Sequence, residues 1–169
     1  MLNKINISEI IKNHIATLKN DNTKKAGLDD FFTFLLIPIL LTGVLLYFEV
    51  ILSDEALNIV ITTLSIFVGL LFNVIVLIFD IIKRDSTKKI KNVVLKELLA
   101  NISFTILISI IAIVFTVLTF MKNNVAKIVF TGIVYFLLLI FVFTVLMVLK
   151  RMHKLFNNEI EEIERNGNL

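Results

Sequence analysis

Four long apolar blocks set the limits on what this chain can become: Phe31–Phe48, Ile59–Ile82, Leu98–Phe120 and Ile128–Leu149. The hydrocarbon core of a bilayer is roughly 30 Å thick, and a helix needs about 20 mostly apolar residues to cross it. A soluble core could hide one such helix, but a chain of 169 residues cannot surround four. Composition points the same way, with 57% hydrophobic and 18% charged residues; soluble domains usually have about 45–50% and about 25%. The expectation is an all-α, polytopic membrane protein with four transmembrane helices, at about 31–48, 59–82, 98–120 and 128–149, in a single membrane domain covering 1–169.

Orientation follows from the basic residues, because lysine and arginine accumulate in cytoplasmic loops. Fifteen of the 17 fall in three segments: before the first block, between blocks two and three (Lys83, Arg84, Lys88, Lys89, Lys91, Lys96), and after block four. The other side holds only Lys122 and Lys127. Both termini are therefore expected in the cytoplasm, with two short hairpins outside. The first thirty residues are polar and read as no cleavable signal. The localisation expected is the bacterial cytoplasmic membrane, in multi-pass form.

The segments outside the blocks have patterns of their own. In 1–30, Ile7, Ile10, Ile11, His14, Ile15 and Leu18 share one helical face. Asn6 and Glu9 have the spacing of a capping box. This amphipathic helix would lie in the headgroups or cover the inner ends of the spans, with His14 packed neutral or acting as a pH sensor. The basic segment 83–97 reads as a cytoplasmic loop passing into a helix near Thr87 that runs on into the third span. The tail 150–169 reads as a helical continuation of the fourth, with an apolar stripe of Met152, Phe156, Ile160 and Ile163. Lys88, Lys89 and Lys91, with Glu159, Glu161 and Glu162, form candidate surfaces for a soluble cytoplasmic partner protein.

Two spans carry stripes that are not greasy. In the second, Thr62, Ser65, Gly69, Asn73 and Asp80 fall on one face; in the third, Asn101, Thr105, Ser109, Ala112, Thr116 and Thr119 do. Lipid tails give no reason to expose such stripes. Small residues let backbones approach, and hydroxyls and amides bond across helices. Either the stripes pack helix on helix, within or between subunits, or they line a wettable pathway in a homo-oligomer. Neither carries a charge at mid-depth, which argues against an ion filter or proton relay. Asp80 lies one turn from Lys83 and Arg84 and reads as an interfacial pairing. Pro38 is expected to kink the first span, and Thr42 and Gly43 beyond it suit close packing.

Catalytic chemistry has little to work with. The chain has no cysteine, two histidines in separate segments and five scattered glycines. No metal set, phosphate loop or nucleophile–base arrangement can be assembled from the pattern. An enzyme is not expected, nor a cofactor, nor direct nucleic-acid binding; the lipid bilayer is the first partner.

The layout supports a resemblance. An amphipathic N-terminus containing "HIATL", then "DDFFTFLLIP", tight outer hairpins and a basic inner loop resemble the small four-helix membrane proteins of bacterial anti-phage systems. The Kiwa membrane subunit and the membrane accessory proteins of some RNA-targeting CRISPR effectors are examples. The resemblance implies an oligomeric membrane effector or sensor that alters permeability when triggered. The alternatives are a passive scaffold recruiting a cytosolic partner, or a small channel or transporter subunit.

Overall fold

The computed structural model describes residues 7–18, 28–84, 89–121 and 124–167. They form five helices: α1 (Ser8–Thr17), α2 (Leu28–Tyr47), α3 (Asp54–Arg84), α4 (Lys89–Leu118) and α5 (Asn124–Gly167). No strand occurs among the described residues. Three of the helices are long and apolar enough to cross a membrane, over Asp54–Asp80, Val94–Leu118 and Asn124–Asn157. The described apolar part of α2, Phe34–Tyr47, is shorter. The expected spans 59–82, 98–120 and 128–149 largely coincide with α3, α4 and α5, except that α4 ends at Leu118, two residues short of the expected end. Within the segment 83–97, α3 persists to Arg84, and α4, beginning at Lys89, is the helix expected to start near Thr87 and run into the third span.

Local signals explain several ends. The Ser53 hydroxyl accepts the Ala56 N–H at 3.2 Å, and Asp54 and Glu55 fill the first turn of α3, where a helix dipole favours acids. The start of α1 differs from expectation. Its N-cap is Ile7, with no side-chain cap, and Asn6 lies outside the described residues. At the end of α2, the Val50 N–H bonds the Leu45 carbonyl and the Glu49 N–H bonds that of Leu46, both at 3.0 Å. This is a Schellman ending, which asks for a left-handed residue at Glu49, and Glu49 has φ 52°. A side chain there costs on the order of 1 kcal/mol. Glu49→Gly should accordingly raise the thermal stability of the purified protein slightly, measurable as a melting shift of a few degrees at most.

α4 is the central helix. Of its apolar stretch 44% is buried, against 11% for α3. α4 packs on α1, α3 and α5, while α2 packs on α5 alone among the long helices. The face that α3 turns to α4 is a heptad row, Leu57, Leu64, Leu71 and Ile78, each no more than 8% exposed. One core layer joins Leu71 and Ile78 to Leu95, Leu98, Ile102 and Val148. A second joins Leu64 to Ile108, Ala112, Leu137 and Phe141. Outside these layers large apolar side chains stand exposed all round, among them Leu70, Val76 and Phe79 on α3 and Leu40 and Val44 on α2. Such a belt suits a hydrocarbon solvent and not water.

α2 is held at its two ends. Gly132 of α5 leaves room for Leu46, whose Cδ1 would lie 2.8 Å from any added Cβ. At the foot, Phe34 meets Phe143 of α5 edge-on at 5.9 Å. The helix continues through Pro38, which is buried. Thr42 is buried as expected, but Gly43 is exposed with nothing within 4 Å of a Cβ.

Candidate functional site

The two stripes do not meet within one chain. Asn101, Thr105, Ser109, Ala112 and Thr116 on α4, and Thr119 just past its end, are all fully buried. Their hydroxyls are satisfied locally: Thr105 donates to the Asn101 carbonyl at 2.7 Å, Ser109 to Thr105 at 2.8 Å, Thr116 to Ala112 at 2.7 Å and Thr119 to Phe115 at 3.0 Å. Each bond returns to the helix's own backbone four residues earlier, so the hydroxyls need nothing from a neighbour. Their smallness lets three helices approach α4 at once. Buried Thr131 and Thr144 on α5 add to the same small-residue interior.

The α3 stripe has the opposite setting. Thr62, Ser65, Gly69 and Asn73 are exposed, on the side of α3 turned away from its heptad row. Thr62 donates to the Asn58 carbonyl at 2.9 Å. The side chains of Ser65 and Asn73 make no hydrogen bond among the described residues. A Cβ added at Gly69 would meet nothing within 4 Å. Asp80 is exposed further along the same side, and no ion pair joins it to Lys83.

A polar cluster that sequence patterning did not assemble lies where α1 crosses the start of the α4 span. His14 is 4% exposed and stacks flat on Phe104, with centroids 3.8 Å apart and planes 4° from parallel. Phe34 of α2 closes the edge of this box at 6.4 Å. Nδ1 of His14 lies 2.9 Å from the Asn101 side-chain amide, and the Thr17 hydroxyl lies 2.7 Å from the same amide. That hydroxyl is also 2.7 Å from the His14 carbonyl.

A threonine hydroxyl has one proton and cannot donate to both. With that proton directed to Asn101 Oδ1, the same oxygen also accepts from His14, whose Nδ1 then carries the proton of the neutral ring. The other end of the buried amide has no partner.

Arg151 of α5 completes the arrangement. Its guanidinium donates to the Thr17 carbonyl at 2.8 Å and is bonded to the Glu97 carboxylate. The first bond places a cation on the carbonyl end of α1, where the helix dipole is negative. Burial lowers the His14 pKa from its ordinary value of 6.5, the bond to Asn101 opposing that shift and the nearby Arg151 adding to it. The sequence signals for this cluster were separate: a histidine on an apolar face, an asparagine opening a stripe, and Glu97 one turn before it.

The candidate docking residues fall largely outside the described side chains. Of Lys88, Lys89, Lys91, Glu159, Glu161 and Glu162, only Glu161 is placed, and it is exposed. In the tail, Met152 and Leu155 pack against the core, whereas Phe156 and Ile160 stand exposed. The expected stripe is thus divided, with Leu155 facing inward in place of Phe156.

No family model, curated protein or solved structure matches the chain. The fold itself defines the class: an all-helical protein with three helices able to cross a membrane.

Proposed function

We propose that this is a four-span protein of the bacterial cytoplasmic membrane, with both termini inside, that self-associates through the outward face of α3 and alters permeability when triggered. The supporting observation is Asn73, an unpartnered amide amid apolar residues on a face that α4 does not cover. Transferring an amide to hydrocarbon without a hydrogen bond costs several kcal/mol. A second copy of the same face supplies both the amide partner and, at Gly69, room for close backbone approach. α2, with 20 residues and a length of roughly 30 Å, completes the fourth span. An even number of spans then agrees with the lysine and arginine bias. The setting in anti-phage defence rests on the resemblance in layout.

In cells carrying the complete defence system, phage challenge should collapse the signal of a voltage-sensitive dye, while expression of this chain alone should leave it near normal. Protection with an unchanged potential would remove the permeability reading. A scaffold would then be favoured, since exposed Phe156 and Ile160, one turn apart on the long α5, form a natural handle for a soluble partner. Orientation has its own test in this cysteine-free chain. Val50→Cys, in the exposed turn after α2, should react with an impermeant thiol reagent outside intact cells, and Ser86→Cys only after lysis. The reverse pattern would invert the topology.

A further inference from the structure

We propose that α1 is a proton-released latch: it docks on α4 and α5 while His14 is neutral and leaves when His14 takes up a proton. This does not depend on what α3 does. The geometry makes the neutral imidazole a condition of docking in three ways. First, the ring lies in an apolar box of Phe104 and Phe34 and is 4% exposed, so a cation there would lose its hydration. Second, Nδ1 faces the accepting Oδ1 of Asn101 and holds the proton of the neutral ring, so a further proton would go to Nε2, which has no hydrogen-bond partner among the described residues.

Third, the charged neighbours are already committed. Arg151, facing from α5, is positive, and Glu97, facing from α4, is engaged by Arg151. Among the described side chains of α2, the neighbour is Phe34, which has no charge to offer. Among the described side chains, no carboxylate is left to receive an imidazolium.

The sign follows from linkage. Docked His14 has a lowered pKa, so undocked α1 binds the proton more readily. Docking is at full strength above the ordinary histidine value of 6.5 and weakens as pH falls below it, until the lowered docked value is passed. Acidification of the compartment facing α1 therefore opens the latch. Once α1 leaves, the Arg151–Glu97 pair and the buried start of the α4 stripe at Asn101 become accessible from that side. A proton bound to one small helix is thereby coupled to the core of the span array.

Because the chain has no native cysteine, spin labels can be placed at only two sites. Glu9→Cys on α1 and Lys154→Cys on α5 are both at exposed positions. Dipolar distance measurements in nanodiscs should show a short, narrow distribution at about pH 7.5. At about pH 5 it should lose amplitude to a broad, longer one. His14→Gln keeps an amide partner for Asn101, and His14→Phe keeps the stack on Phe104, but neither takes up a proton. Whichever of the two docks at pH 7.5 should stay docked at pH 5. An unchanged parent distribution would overturn the latch. An acid shift that survives in these variants would do the same, since neither carries an imidazole.

Discussion

Arg151→Met should lower the melting temperature of the purified protein by roughly 4–8 °C and free α1, although Arg151 is one of several basic residues at the head of a tail. The magnitude has two sources. The side chain is only 15% exposed, and its Glu97 partner is 32% exposed. Breaking a buried pair costs about 3–5 kcal/mol, chiefly through the charge left behind. Glu97 reaches water in part, so about 2 kcal/mol is the better figure for this site. The last carbonyl of α1, at Thr17, also loses its donor. Each kcal/mol moves the melting point of a chain of this size by about 2–4 °C.

Lys150→Met, next in sequence but exposed, should change little. The double variant Arg151→Met with Glu97→Leu should recover much of the loss, because two apolar side chains replace the pair without an orphaned charge. Differential scanning fluorimetry of the parent, Arg151→Met, Glu97→Leu and the double variant closes the cycle. A double variant no more stable than Arg151→Met alone would show that the pair is not what holds this corner.

How much of this was legible in the sequence depended on the range of the interaction. The long helices follow from apolar runs, which are local, and α3, α4 and α5 cover the expected spans apart from the last two residues of the third. The two stripes looked equivalent because each consists of small and polar residues at helical spacing. What separates them is the opposite face. α3 has the row Leu57, Leu64, Leu71 and Ile78 there, so one good apolar face is buried and the polar one is left outside. α4 is apolar on its remaining faces, and as the central helix it needs small residues where neighbours crowd in. The cluster at His14 joins residues from α1, α4 and α5, with Thr17 and Arg151 separated by 134 positions. Helical periodicity carries no information at that distance. A buried polar residue names its need for a partner, but not which partner.

The outward face of α3 is where fold and function should come apart. The triple change Ser65→Leu, Gly69→Leu and Asn73→Leu places larger apolar groups where no described side chain stands, so the folded monomer should melt within a few degrees of the parent. Its assembly should change far more. The leucines remove the amide partner and fill the gap at Gly69, so mass measurements in detergent should move from oligomer to monomer. Leu64→Ala on the opposite face is the complementary case. Leu64 is 1% exposed, and its truncation should cost about 2–5 kcal/mol of fold stability, whatever the assembly does. In cells, the triple variant should insert normally yet fail to depolarise the membrane on challenge, because the polar faces no longer meet. If instead it remains oligomeric and depolarises like the parent, α3 faces lipid in the assembly, and the permeability path has to be built from other helices.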